Sequence, residues 1–489
     1  MSVHWPIIQT CLSNPLRVLI TDDQRRWRAI ELLVGALHLA SEIERRSNSW
    51  TVGVLLPTGG AFPIAALAAW ITGRTVVPLN YLLNPDELQY VIDDCETDCI
   101  ITAGAMLSFL GRTPRVKSLI RLDEANFRGI PEPRWPACIT DDRLAVLLYT
   151  SGTSGRPKGV MLSHANLCAN ISQVIRFARF TRDDAVLGVL PQFHTFGFTV
   201  LTLLPLTVGA RAVYAARFVP QRIVKLCREH RPTAFIAIPS MFNALLHVKD
   251  ATPDDVASLR FIVSGGEPLP EAVSTGFRER FGKRICEGYG LTETSPVTNW
   301  CPPDADRPHS VGPPLPGVRE RIVNWETGHE LAPGEEGEIR IKGPNVMRGY
   351  YKLPAETAAA FDEEGWFRTG DIGRLDHDHF LSITGRLKEM IIVGGENVFP
   401  REIEEVLDKH PSIAASAVIG VRDHIRGELP CAFVELKAGA SFDEPALRTW
   451  CRERLAGFKV PREIHCIEKL PRNPTGKILR RELKQHLLA

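Results

Sequence analysis

The chain carries almost no net charge: 58 Lys and Arg stand against 57 Asp and Glu, a balance of +1. No basic field recruits nucleic acid, and no acidic or basic tail stands out. Aromatic and basic residues do not interleave into a nucleic-acid platform. Repeats of 20–50 residues and low-complexity tracts are missing, which excludes solenoids and arrays. Metal-ligand spacing is missing too. The 11 cysteines are scattered, and the one close pair, Cys95 and Cys99, has no second pair beside it. Buried free thiols in a reducing compartment are therefore expected. The first twenty residues have no basic stretch followed by a clean apolar core, so no secretory signal is read there. The expected compartment is the cytoplasm, with peripheral contact with a membrane left open. One run, Ala185 to Ala210, lacks Asp, Glu, Lys and Arg and is long enough to span a bilayer. Pro191, Gln192, His194, Gly197 and Pro205 interrupt it, so it reads as a strand, a loop and a short helix lining a pocket.

What is present is an ordinary globular composition, 44% hydrophobic and 24% charged, over 489 residues, enough for roughly two to four compact units. Short apolar runs alternate with amphipathic stretches. Thr51–Pro57, Arg74–Leu79 and Asp98–Thr102 read as strands, with helices at Ala61–Gly73 and from Asn84 or Pro85 to Asp94 between them. Strands at Ala185–Leu190, Thr233–Ile238 and Leu259–Ser264 alternate with helices at Ala165–Phe177, Pro220–His230 and Pro270–Phe281. This rhythm predicts an α/β fold of parallel sheets covered by helices. After about residue 310 glycine and proline become dense. Strands such as Gly337–Gly343 and His379–Gly385 look antiparallel, which predicts a small barrel-like sheet. From Glu389 the chain reads as a small α+β unit.

Tyr149–Gly159, YTSGTSGRPKG, is the densest chemical signal. Thr150, Ser151, Gly152, Thr153, Ser154 and Gly155 place hydroxyls and unhindered backbone N–H groups in one loop, and Lys158 adds a charge. That is a cradle for phosphates. The G-x-x-x-x-G-K-[ST] loop of kinases and GTPases is not met, because Gly155 is followed by Arg156, Pro157, Lys158 and Gly159. A flexible linker is the alternative, disfavoured by the strand-like runs on either side. Four further motifs follow. EGYGLTET (Glu287–Thr294) joins Tyr289, able to stack on a base, with Gly290, with Thr292 for a phosphate and with Glu293 for Mg²⁺; a turn into a helix is the bland alternative. GWFRTGD (Gly365–Asp371) puts Asp371 where a ribose could be held, or merely closes a hairpin. Arg386 and Lys388 precede the pair Gly394 and Gly395, and Lys477 sits on a Gly turn in PRNPTGK.

These five motifs, in this order over essentially the whole chain, resemble the adenylate-forming superfamily of acyl- and aryl-CoA synthetases, adenylation domains and luciferases, most of all a fatty acyl-CoA synthetase. The resemblance implies a large N-terminal domain, residues 1–387, holding the ATP and acid sites, and a mobile C-terminal domain, residues 388–489. It implies a phosphate loop at Thr150–Lys158 and an adenine site between Gly266–Glu267 and Tyr289. It assigns phosphate and Mg²⁺ to Thr292 and Glu293, ribose to Asp371, and ribose or phosphate to Arg386. Lys477 becomes the catalytic lysine between substrate carboxylate and α-phosphate. Lys388 becomes a hinge, with a solvated charge as the alternative. After rotation about it, Gly394, Gly395 and Glu396 approach and open a path for the pantetheine of coenzyme A.

The implied chemistry uses ATP and Mg²⁺. A carboxylate attacks the α-phosphorus, pyrophosphate leaves, and a thiol then displaces AMP from the acyl-adenylate. In PQFHTFGF (Pro191–Phe198) His194 stands where amino-acid-activating relatives place an Asp, so an α-amino acid is disfavoured; a satisfied core histidine is the alternative. A medium- or long-chain fatty acid is the first expectation and an aryl acid the second. Glu267 departs from the small residue of many relatives, and either narrows the pocket or meets a polar group on the acid. Coenzyme A is the expected acceptor; the alternative is a carrier protein acting in trans, since no carrier motif follows. PRNPTGK also resembles sites of regulatory lysine acetylation. The rivals are a phosphotransferase releasing ADP, a non-catalytic nucleotide binder and a luciferase-like oxygenase. The first fails the loop pattern, and the second should have lost Lys477, Glu293 or Asp371.

Overall fold

The computed structural model describes residues 2–150, 156–305, 307–472 and 478–487. Two sheets dominate. One has eight strands in the order Val297–Trp300, Cys286–Gly290, Phe261–Ser264, Ala234–Ala237, Ala185–Gly188, Arg211–Tyr214, Val18–Thr21 and Arg26–Arg28. It is parallel through its middle and antiparallel at both edges. The other has six strands, five parallel, closed at one edge by the antiparallel hairpin of Leu144–Thr150 and Lys158–Ser163. Thr51–Val54, Thr75–Pro78, Cys99–Thr102, Ala185–Gly188, Ala234–Ala237 and Phe261–Ser264 are buried at every residue. Parallel strands covered on both faces read as unbroken apolar runs for this reason. The helix Ala61–Ile71 is buried from Phe62 onward and packs against Ala29–Arg46. Helix starts follow their caps: Asn84 accepts from the Asp86 and Glu87 amides, and Ser163 from that of Asn166.

The interrupted apolar run differs from expectation in one respect. After the strand Ala185–Gly188, residues Phe196–Leu203 wind as a π-helix before the helix Leu204–Val208. Two features favour the wider turn. Thr202 donates its hydroxyl to the Gly197 carbonyl (2.9 Å), and Pro205 has no N–H for the Leu201 carbonyl, which accepts from the Tyr214 hydroxyl instead (2.9 Å). No helix among the described residues is long and apolar enough to cross a membrane.

The later sheet is antiparallel, its four strands Arg319–Val323, Gly337–Lys342, Phe367–Leu375 and Leu381–Arg386 in sequence order. Its outer strand is bridged at Leu381 by Gly312 rather than by Arg319–Val323, so the segment before the sheet covers that edge. From Ile391 onward a five-stranded sheet with the helices Pro400–Asp408 and Glu444–Arg452 encloses apolar clusters of its own.

Candidate functional site

A cavity of about 920 Å³ opens at the carboxyl ends of the central strands of the eight-stranded sheet. The Leu144–Ser163 hairpin, the four-stranded sheet and the segments on either side of residues 473–477 complete its walls. Ligands of open α/β sheets sit at this end, where the strands stop and their loops diverge.

One part of the cavity is apolar. Strand alternation puts Ala234, Ile236 and Ile238 on one face, with Phe261, Val263 and Gly265 beside them in register, and all six line the cavity. The tunnel they floor follows the strands from Ile238 back to Ala234, a length of roughly 13 Å at about 3.3 Å per residue. Val186, Leu190, Val200 and Leu204 form other walls, and Phe180, Phe261 and Trp300 crowd the inner end. Phe261 and Trp300 pack edge to face at 5.0 Å. At the outer end the lack of a side chain at Gly265 matters, because a Cβ there would lie 2.9 Å from the Phe196 ring.

The other part is polar. Tyr289, on Cys286–Gly290, donates its hydroxyl to Asp371 Oδ2 at 2.6 Å, and Arg386 Nε reaches Oδ1 at 2.7 Å. Asp371 and Arg386 face each other in register on adjacent antiparallel strands. Burial, with the neighbouring Asp371 charge, drives the Tyr289 phenol well above its usual range. Arg386 is held above its ordinary value, first by Asp371. Glu293 lies in the short turn Thr292–Thr294, where Tyr350 donates to its Oε1 at 2.9 Å. Burial raises its carboxyl toward the neutral form. Lys158 Nζ stands 5.5 Å from the Tyr350 ring centroid, and Thr195 donates to the Thr292 hydroxyl at 3.0 Å. One carboxylate beside hydroxyls and an ammonium matches Mg²⁺, which takes few protein ligands and shares the phosphates of its substrate.

Of the sequence-predicted residues, Thr150, Lys158, His194, Gly266, Glu267, Tyr289, Gly290, Thr292, Glu293, Asp371, Arg386 and Lys388 all line this cavity. Gly266 has φ +86°, and at Gly290 a Cβ would lie 2.0 Å from the Pro296 carbonyl oxygen, so both positions require glycine. His194 is solvent-exposed at the mouth, its Nδ1 accepting from the Phe196 amide at 3.3 Å, and is not a core histidine. Lys388 is exposed in the turn Leu387–Glu389, where partial desolvation of its ammonium and the Arg386 charge lower it below the usual lysine value. Gly394 and Gly395, with φ +61° and +93°, form the turn between Ile391–Val393 and Glu396–Val398 and are not among the cavity's lining residues. Ser151, Gly152, Thr153, Ser154, Gly155 and Lys477 lie outside the described residues.

Sequence reasoning missed Tyr350 and Thr195, which hold Glu293 and Thr292, and the aromatic inner end of the tunnel. Tyr350 lies 57 residues from its partner and Thr195 lies 97 residues from its own, and no local pattern marks either.

The sequence matches the profile of the AMP-binding enzyme family over residues 13–351 and that of the AMP-binding enzyme C-terminal domain over residues 402–477. It is 34% identical over 503 aligned positions to a long-chain-fatty-acid–CoA ligase of Bacillus subtilis (strain 168), covering 93% of this chain and 89% of that one. It is 36% identical to a sulfoacetate–CoA ligase of Cupriavidus necator, covering 89% and 87%. Among solved structures, ATP-bound MatB from Rhodopseudomonas palustris aligns with a TM-score of 0.91 at 31% identity, over 99% of both chains. An o-succinylbenzoate CoA synthetase from Bacillus subtilis, holding its acyl-adenylate, aligns at 0.87 with 30% identity over 98% and 97%. The chain belongs to the AMP-binding enzyme family, the adenylate-forming superfamily, and is an acid–thiol ligase.

Proposed function

We propose that this ligase activates a fatty acid of medium chain length with ATP and transfers it to coenzyme A. The observation that carries the proposal is that one cavity is lined both by the polar chamber residues Tyr289, Asp371, Arg386 and Glu293 and by an apolar stretch that follows the strands from Ile238 to Ala234 for roughly 13 Å at about 3.3 Å per residue. The chamber takes the nucleotide: Asp371 and Arg386 the ribose, Tyr289 a face of the adenine, Thr292, Lys158 and the Thr150 loop the phosphates. Glu293 would hold Mg²⁺, which neutralises phosphate charge. The tunnel takes the tail and so aims the carboxylate at the chamber. In-line attack on the α-phosphorus then forms acyl-adenylate and pyrophosphate. Lys477, brought by the C-terminal part of the chain, offsets the charge that builds up between carboxylate and phosphate. Rotation of residues 388–489 about Lys388 then withdraws Lys477 and admits the thiol along the face of Gly394 and Gly395. The thiol attacks the acyl carbon and AMP departs.

The lining favours this acid over short dianions such as those named for some relatives. Apart from Asn299 the tunnel walls are apolar and none of their side chains is charged, whereas Lys158, Arg368, Arg386, Lys388, Arg472 and Arg481 line the cavity beside the nucleotide residues. An aryl acid is the second reading, favoured by the rings of Phe180, Phe261 and Trp300 at the inner end. The test is carboxylate-dependent ATP–pyrophosphate exchange across fatty, aryl and amino acids, followed by addition of CoA. Exchange that peaks with a medium-chain fatty acid, and AMP release on adding CoA, supports the proposal. Exchange without CoA turnover assigns the acceptor to a carrier protein. A peak with aryl or amino acids overturns the choice of acid.

A further inference from the structure

The adenylation reading needs Lys477 at the cavity, and the residues on either side of segment 473–477 are seated there. Arg472 and Ile478 form an antiparallel bridge, the Leu479 amide donates to the Pro471 carbonyl at 2.8 Å, and Arg472, Leu479 and Arg481 line the cavity. Between the last two stands Arg480, at the start of the helix Arg480–Leu483 and outside the cavity wall. Its Nη2 reaches both oxygens of Glu404 at 2.8 Å, and its Nη1 reaches Glu389 Oε2 at 3.2 Å. The two carboxylates belong to different elements. Glu404 lies in the helix Pro400–Asp408 and is itself fixed by the Val418 amide, which donates to its Oε1 at 2.7 Å. Glu389 ends the turn that holds Lys388. Burial works against the Arg480 charge, but Glu404, Glu389 and the cavity-lining Glu267 together hold the guanidinium above its ordinary value.

We propose that Arg480 is a positioning residue, which clamps the chain just after residues 473–477 to the helix of Glu404 and to the turn beside Lys388 and so supports the part that Lys477 plays in the first half-reaction. This rests on the adenylation reading above. A fork of N–H donors suits the task, because it spans two carboxylates at once where an ammonium is a point charge. Arg480, Glu389 and Glu404 all lie within residues 388–489, so the clamp travels with Lys477, and its effect is confined to the first half-reaction because Lys477 acts only there.

The experiment compares wild type with Arg480→Ala, Arg480→Lys and Glu389→Gln. It reads decanoate-dependent ATP–pyrophosphate exchange, thioester formation from supplied decanoyl-adenylate and CoA, and melting temperature. Arg480→Ala should lose exchange on the order of a hundredfold, the scale of a misplaced reactive group, while thioester formation from the adenylate stays within about twofold of wild type. Arg480→Lys should recover part of the exchange. Glu389→Gln, which keeps its shape and one hydrogen bond, should show the same asymmetry more weakly and covers the case in which Arg480→Ala does not fold. Equal loss in both half-reactions, or exchange unchanged in a folded variant, would overturn the inference and leave the adenylation reading standing. A wild type silent in exchange with every acid would overturn both.

Discussion

Asp371 and Arg386 meet in register across two antiparallel strands, Arg386 Nε 2.7 Å from Asp371 Oδ1, while Tyr289 occupies the other carboxylate oxygen. Asp371 is 2% exposed, so its charge is held by these two partners rather than by water. A carboxylate fixed in this way is ready to accept ribose hydroxyls without reorganising. Asp371→Ala should therefore raise the ATP dissociation constant at least about tenfold, the scale of one or two charge-assisted hydrogen bonds. Titration calorimetry with ATP checks this, and unchanged affinity removes the ribose role. Tyr289→Phe frees one oxygen of Asp371 and should cost less.

Lys477→Ala should reduce acid-dependent ATP–pyrophosphate exchange about a hundredfold or more, as loss of a transition-state charge contact does. Thioester formation from supplied acyl-adenylate should persist. Acetylation of Lys477 removes the same charge and should give the same asymmetry. An equal fall in both half-reactions would contradict rotation of residues 388–489 between steps. Exchange and thioester assays on one preparation separate the outcomes.

Local motifs carried much of the site. Tyr289 stands 82 residues before Asp371, and Arg386 lies on the strand that follows Asp371's own, yet each sits in a short stretch whose glycines and hydroxyls announce a ligand, and the fold brings all three together. The parallel sheets were legible because strands buried on both faces must be apolar throughout. The partners were not legible. Tyr350 meets Glu293, and Thr195 meets Thr292, only through packing between the hairpin, the later sheet and the π-helix. The π-helix depends on a Thr202–Gly197 bond and a Tyr214 hydroxyl that no periodicity encodes. The inner end of the tunnel is equally non-local, since Phe180, Phe261 and Trp300 come from three segments.

Chain-length preference follows from tunnel length. Each added methylene should improve kcat/KM about fourfold while it is buried, from roughly 0.8 kcal/mol per CH₂, and the gain should stop where the tail reaches Phe180 and Trp300. Ala234→Phe places a ring at that inner end and should move the optimum to shorter acids with little change in the KM for ATP. A homologous series of saturated acids assayed on both proteins reads this directly. An optimum that does not move, or a parallel loss with every acid, would place the tail elsewhere.

Glu320 gives the fold a pH dependence of its own. It lies on Arg319–Val323, accepts from Asn299 Nδ2 at 3.0 Å through Oε2, and has no partner for Oε1 among the described residues. Burial pushes its carboxyl from 4.5 up to about 8, against the pull of Asn299. The folded state therefore holds a proton there that the unfolded chain releases near the ordinary carboxylate value. Its contribution to stability is fully present below about pH 4.5 and is lost as pH rises through about 8. Glu320→Gln keeps the shape and the acceptor for Asn299 but cannot ionise. Melting curves of the two proteins should converge near about pH 5, and the variant should melt higher near about pH 9. Because Asn299 and Trp300 neighbour each other on the tunnel wall, the same variant should keep its acid preference at high pH while wild type loses turnover with the tunnel's inner end. Parallel melting curves across that range would show that Glu320 is ionised in the folded protein.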